Sequence, residues 1–374
     1  MDEDLGRVLL PFGEAVPLPR RAYVEPGFFE LDRALFRASW HPVASEGELA
    51  SPGSYAVADV AGERVVVVRG ADLELAAFLD GCVHRGVLLF PDERGRVEGL
   101  SVTCPYHGLR YDLRGRPEPG SAPRVRVAAG AALRPARVAS RFGFVFVCVE
   151  PSVPELDAWW GETPPWLERA STHALRLGRR VEHAVAANWK LCVDNFQESH
   201  HFTQVHPSLE HRTPWKRSTS VDLGGAFLGG TMELADDAET VSDSGELEGR
   251  PFVAGPDDRR LIHDALLVPG WLTSLQPDYL LSYRLVPLSE ARTRVVSEIY
   301  FHAGAFTGSF DPSSVYSFWD RTNAEDRAIC ELQQRGLASP TFELGPYADV
   351  EDGVHAFDRR VAAFYQHALA RGAR

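Results

Sequence analysis

The sequence predicts an α+β protein of two domains, a small all-β domain followed by a larger one that mixes strands and helices. Three observations carry that expectation. The chain has 374 residues, more than one domain usually holds, so two is the default. From about residue 42 to residue 150, short β-type runs (ERVVVVRG, LELAAFLD, LRYDLRG, FGFVFVCVE) alternate with turns, as in an all-β unit. After a connector rich in Pro and Trp, PSVPELDAWWGETPPW, long β runs and helical patterns both appear.

Taken in order, residues 27–39 (GFFELDRALFRAS) place apolar side chains at helical spacing and predict a short helix. Residues 1–41 are therefore set apart as a helical segment packing on the C-terminal domain, with 42–150 as the β domain and 151–374 as the rest. ALRLGRRVEHAV reads as a strand, and a helix should start near Asn188. Strands are expected over residues 279–288 and 292–302. The end is helical, over 313–336 with a Ser cap and over 352–371 with apolar positions at three and four.

Composition excludes several classes. Hydrophobic content of 44% supports real cores, and no repeat or low-complexity tract interrupts them. A formal charge of −13 disfavours nucleic acid, which needs a basic face, and would favour a cationic substrate or a basic partner. The opening MDEDLGRVLL lacks the basic start and apolar run of a signal peptide, and the longest apolar runs suit a strand rather than a membrane span. A cytoplasmic protein is expected. Five cysteines (82, 104, 148, 192 and 330) are too few and too scattered for a disulfide framework. They fit metal binding or buried thiols, with Cys148, Cys192 and Cys330 as small core residues.

Cys82-Val83-His84 closes one β run, and Cys104-Pro105-Tyr106-His107 opens another. Each loop offers one thiol and one imidazole. A zinc site uses the same ligands but typically pairs Cys with Cys and His with His. One of each per loop suits a cluster of two inequivalent irons, with two cysteines on one and two histidines on the other. CVHRG followed by CPYHGLRYDLRG, with a hairpin turn at residues 113–115, closely resembles the Rieske [2Fe–2S] motif.

A second stretch, NWKLCVDNFQESHHFTQVHP, resembles the mononuclear iron motif of Rieske-type non-haem iron oxygenases. In that family a carboxylate is followed three residues later by a ligand His and, after four intervening residues, by a second. Glu198, His201 and His206 fit. Glu198 and His201 would share a helix face, and His206 lies where the helix should end, before Pro207. Two histidines and one carboxylate leave open positions on Fe(II) for O2 and substrate, so a distant acid must complete the set. Asp326 is the choice. It would share a helix face with Trp319, Asn323 and Cys330, where an unpaired charge is costly unless it meets a metal, and Glu325–Gln333 matches the family's ED-x-x-x-x-x-x-Q pattern. Glu325 and Asp320 are its competitors. His200 replaces the aromatic residue usual before the first ligand and reads as a pocket residue. Asn195 is a weak or distant ligand, and Asp194 a structural hydrogen-bonding group.

The resemblance implies the α (oxygenase) subunit of a Rieske oxygenase, with a helix-grip (START-like) catalytic domain. It implies a [2Fe–2S] Rieske cluster, mononuclear Fe(II), and electrons from NAD(P)H through a separate flavin/iron–sulfur reductase, with or without a ferredoxin. The chain itself shows no G-x-G-x-x-G or plant-type ferredoxin run. It also implies a homotrimer in which Glu198 bridges the catalytic iron to a Rieske histidine of the neighbouring subunit. Glu at 198 and a likeness to choline-, betaine- and carnitine-type enzymes favour monooxygenation (hydroxylation or N-demethylation) of a small quaternary ammonium compound. Phe202, Trp215, Trp271 and Tyr283 are either a cation cage or core. Aromatic-ring cis-dihydroxylation is the alternative, and an electron carrier or a zinc-binding module are rivals from other classes.

Overall fold

The computed structural model describes residues 2–307 and 309–372. The chain forms two compact units, residues 36–159 in one and residues 1–35 with 160–374 in the other. The boundaries thus fall at 35/36 and 159/160 rather than at 41/42 and 150/151. The cause at both ends is packing: the last turn of the N-terminal helix and most of the Pro/Trp connector pack with the β unit.

Three helices open the chain, α1 (Glu3–Val8), α2 (Arg21–Val24) and α3 (Pro26–Arg37). The β unit then builds a seven-stranded sheet from β1 (His41–Ser45), β2 (Ser54–Val60), β3 (Glu63–Arg69), β4 (Leu75–Leu79) and β5 (Arg94–Arg96), a two-stranded ribbon of β6 (Ser101–Thr103) and β7 (Arg110–Asp112), and then β8 (Pro135–Arg141) and β9 (Phe144–Cys148). The sheet order is β1-β9-β8-β4-β3-β2-β5. The run VVVV of β3 is buried throughout because it serves two cores by alternation. Val65 and Val67 enter one cluster, while Val66 and Val68 pack with Cys82, Cys104 and Tyr111 in the other.

The β unit closes with most of α4 (Leu156–Trp160), and the second unit continues through α5 (Pro165–Arg169), β10 (Leu175–Val185), α6 (Trp189–Phe196), α7 (Phe202–Val205), α8 (Pro207–Arg212), β11 (Ser218–Asp222), β12 (Phe227–Glu233), β13 (Leu261–Leu267), β14 (Trp271–Leu275), β15 (Tyr279–Ser289), β16 (Arg292–His302), α9 (Ser313–Leu337) and α10 (Asp352–Gly372). Its seven strands pair antiparallel in the order β10-β16-β15-β14-β13-β12-β11. The sheet holds α9, whose Val315, Phe318 and Trp319 share one core with Ile262, Leu281, Ile299 and Phe301. The helix is capped differently from the expectation: Pro312 holds the cap position, and the Ser313 N–H donates to Asp311 Oδ1 (3.0 Å).

The N-terminal helices belong to this unit through a buried ion pair. Lys190 Nζ donates to both carboxylate oxygens of Asp32 (2.9 and 2.7 Å), and neither side chain is exposed. Tyr365 also donates to Asp32. Burial pulls the Lys190 pKa down against the attraction of Asp32. Asp32→Ala leaves the ammonium buried and uncompensated, so it should lower the stability of this unit by ~3–5 kcal/mol in chemical denaturation. A loss below ~1 kcal/mol, the level of an exposed pair, would contradict that account.

Candidate metal centres and their cavity

The two Cys/His loops are built alike. In each, the Cys N–H donates to the carbonyl five residues on (Cys82 to Val87, 2.9 Å; Cys104 to Leu109, 2.8 Å). A glycine four residues after each Cys returns its N–H to the Cys carbonyl (Gly86, 2.8 Å; Gly108, 3.0 Å). Both glycines hold positive φ, +73° and +77°, which explains why a glycine follows each histidine within two residues. Cys82 and Cys104 are buried, whereas His84 is half-buried and His107 exposed, with their rings 4.8 Å apart. Two inward thiols and two outward imidazoles fit a [2Fe–2S] group with one iron on each pair.

Tyr111 completes the pocket and was not singled out by sequence. Its hydroxyl accepts the Val83 N–H (3.1 Å) and lies 3.1 Å from Cys82 Sγ, to whose thiolate form it can donate. Burial alone would raise the Cys82 thiol, but hydrogen bonds from Tyr111, the His84 backbone and Cys104 outweigh it and hold it below its ordinary value. Burial and the Cys82 bond push the Tyr111 hydroxyl up.

In the other unit, His201, His206 and Asp326 each offer a ligand atom, and these three lie within 4.8 Å of one another. The second nitrogens explain the geometry. His201 Nδ1 bonds Glu198 Oε1 (2.6 Å), and His206 Nδ1 bonds Glu325 Oε2 (2.7 Å). With the Nδ1 atoms held by carboxylates, both Nε2 atoms turn to Asp326, at 3.9 Å from His201 and 2.8 Å from His206, where they and the acid could hold a metal together. Carboxylates behind imidazoles are the usual support of metal-binding histidines, so the donor set fits a mononuclear iron. Asn195 Nδ2 donates to Asp326 Oδ1 (2.6 Å), placing it on the acid rather than beside it as a further ligand atom.

The local fold differs from expectation at Glu198. Helix α6, capped by Asn188 through the Lys190 N–H (3.0 Å), stops at Phe196. Glu198 therefore lies in the linker, not on a helix face, and reaches His201 by accepting its backbone N–H (3.1 Å) as well as its ring. His206 sits between α7 and α8, immediately before Pro207. Glu325 stands behind His206, and Asp320 pairs with Arg179 (2.9 Å), leaving Asp326 as the acid at the cluster. His200 is exposed and packs on Trp215, and Asp194 accepts from the Tyr23 hydroxyl (3.1 Å).

The triad lines a cavity of about 110 Å³ to which the sheet adds aliphatic side chains such as Ile262, Leu281 and Leu285 beside the polar Ser274 and, just past β14, Gln276, with Trp319, Asn323, Asp326 and Cys330 all facing it from α9. Cys192 and Cys330 both border the cavity, Cys330 as the buried core residue expected and Cys192 only half-buried. Of the four aromatic candidates, Phe202 and Tyr283 line this cavity and Trp215 lines an adjoining one, while Trp271 is core and bonds Ser282. Arg327 also lines the cavity and pairs with no carboxylate among the described residues.

A cluster-type pair of loops in one unit and a two-histidine, one-carboxylate set in the other define a Rieske-type oxygenase subunit. Residues 39–129 match the Rieske [2Fe–2S] domain, and residues 172–367 match the ring hydroxylating alpha subunit (catalytic domain). The chain belongs to this family. It is an oxidoreductase that works with a Rieske cluster, a mononuclear iron and electrons from a separate reductase. It is 35% identical to the carnitine monooxygenase oxygenase subunit of Escherichia coli (strain K12), over 87% of this chain and 85% of that one. With the glycine betaine monooxygenase oxygenase subunit of Pseudomonas aeruginosa it shares 26% identity, over 88% and 84%. The crystal structure of a quaternary ammonium Rieske monooxygenase has the same fold (TM-score 0.81, 23% identity, 98% and 99% covered). So does naphthalene 1,2-dioxygenase from Rhodococcus sp. (TM-score 0.76, 17% identity, 97% of each). No helix among the described residues is long and apolar enough to cross a membrane.

Proposed function

We propose that the protein monooxygenates a small quaternary ammonium compound, by hydroxylation or N-demethylation, at an iron held by His201, His206 and Asp326. The observation that carries this reading is the convergence of those three ligand atoms on one apolar cavity, in a chain that also presents the Cys82/His84/Cys104/His107 set. Carnitine- and glycine betaine-type relatives support the substrate class. Cys82 and Cys104 would hold the inner iron of the cluster, His84 and His107 the outer one. When bound, the two metal groups supply one-electron transfer and O2 activation. The protein's own contribution is positional: Glu198 and Glu325 fix the two imidazoles, Asn195 orients Asp326, and the aliphatic walls exclude water. Purified enzyme with a reductase, NAD(P)H and a panel of trimethylammonium compounds should consume O2 in step with amine or aldehyde release. A cis-diol from an aromatic compound, with no turnover of any quaternary amine, would sink the reading.

The working assembly is proposed to be a cytoplasmic homotrimer, in which Glu198 joins His201 to a cluster imidazole of the neighbouring subunit. Its contact with His201 supplies half of such a bridge, and a head-to-tail ring is the geometry that supplies the other half. The free cysteines suit a reducing compartment. Glu198→Ala should leave the cluster spectrum, most of the mononuclear iron and the ring in place. Reduction by reductase should stay fast, while single-turnover oxidation of the cluster with substrate and O2 slows by ~10–100-fold. Electron transfer at the parent rate would leave Glu198 as a plain positioning acid for His201.

A further inference from the structure

Asp264 is the one charged residue in the strand LIHDALL of β13, and it lines the same cavity as the triad. The residue as a whole is only half-buried, because the cavity reaches it, yet its Oδ1 is out of solvent and has no hydrogen-bond partner. Ser274, directly across on β14, bonds its carboxyl group, and the neighbour across on β12 is Gly230, which has no side chain. No Lys, Arg or His pairs with Asp264 among the described residues. Burial pushes its carboxyl group up to about 7, with only the Ser274 bond acting against it. A carboxylate held out of water normally has a counter-charge. Here the open side of the carboxylate is cavity.

Its position relates it to the iron site. Asp264, Asp326 and Tyr283 line the one cavity, and both acids add to the rise that burial gives the Tyr283 hydroxyl. Asp264 also lines the adjoining cavity of about 400 Å³, together with Glu198, Phe196, Phe202 and Met232, and so stands where the two spaces meet. Glu198 and Glu325 are engaged by the ligand imidazoles and Asp326 by the metal set, so Asp264 is the acid left to meet a cationic head in the cavity.

We infer that Asp264 is a specificity-determining residue that takes the cationic head of the substrate and makes the cavity selective for quaternary ammonium over neutral groups of the same shape. This rests on the proposed substrate class and adds the residue that enforces it. A trimethylammonium head cannot donate a classical N–H hydrogen bond, so the carboxylate acts by charge, in a cavity that Tyr283 and Phe202 also line.

The test is calorimetric binding to the anaerobic holoenzyme of γ-butyrobetaine and of its tert-butyl analogue, which keeps the carboxylate and the shape and makes only the head group neutral. The parent should prefer the charged head by about tenfold or more. Asp264→Asn should lose that preference by weakening γ-butyrobetaine alone, while Asp264→Glu keeps part of it. The cluster spectrum and iron content verify that each variant is loaded, and removing a desolvated charge should leave the melting temperature of the Asn variant equal or higher. An Asn variant that still discriminates like the parent would overturn the assignment of Asp264 alone. A parent that binds the analogue as tightly as γ-butyrobetaine, or binds neither, would overturn the quaternary ammonium reading and this inference with it.

Discussion

Cys82→Ala or His107→Ala is expected to abolish the Rieske spectrum. Each iron of the cluster would lose a ligand that the fold cannot replace. Around Cys82 the thiol is buried, and its partners are the Tyr111 hydroxyl and backbone N–H groups, which donate to a thiolate but do not bind iron. Cys148, the remaining thiol of that unit, lies in β9 with its Sγ on the Glu150 carbonyl (3.4 Å), and burial raises its pKa. His107 is exposed and packs tilted against Tyr106 (3.8 Å between centroids), so its loss leaves an opening to solvent rather than a second imidazole. The purified variants should lack the visible bands of the cluster. His84→Cys differs in kind: the added thiolate should keep a cluster and move its potential towards the about −400 mV of all-cysteine ferredoxins. A parent-like spectrum in Cys82→Ala or His107→Ala would refute the ligand assignment.

His206→Ala should have the opposite signature, with full red-brown colour but no mononuclear iron and product formation down by more than ~100-fold. Two carboxylates grip this imidazole from opposite sides, Glu325 on Nδ1 and Asp326 on Nε2, and the side chain is 2% exposed. Truncation removes a ligand and leaves both acids without their partner. His201→Ala and Asp326→Ala should behave likewise. Glu325→Gln removes only the support behind His206, so a milder loss of ~10–100-fold in iron affinity or rate is expected. His200→Ala should keep both metals, because that ring packs on Trp215 and takes no part in the three-atom cluster. Iron counting with product assay checks the series. If His200→Ala loses the iron and His201→Ala does not, the ligand register is shifted by one residue.

What the sequence disclosed, and what it hid, follows from the range of each signal. Strands such as β3, β10 and β16 were readable because apolar alternation or a long β-branched run is local. The helix α9 was readable too, and its spacing correctly put Trp319, Asn323, Asp326 and Cys330 on one face. Strands β11 to β14 were not singled out: β12 reads FLGGTME, with two glycines in its middle, and their regularity comes from pairing with partners rather than from pattern. Glu198 was placed on a helix because i, i+3 spacing suggests one, but the same reach is achieved by a linker that folds onto the His201 N–H. Tyr111, Glu325 and Asp264 act through contacts formed only on folding. For Asp264 a signal was present, a lone acid within an apolar strand, but its meaning depends on which face the strand turns to the cavity.

The most direct test of the central claim, that one chain holds both a Rieske cluster and a separate mononuclear iron, is the ratio of iron to acid-labile sulfide in the purified holoprotein. The account predicts about three irons for every two sulfides, one [2Fe–2S] group plus one iron, falling to about two for two in His206→Ala with the colour unchanged. Equal iron and sulfide in the fully loaded parent, or zinc in place of both, would contradict it.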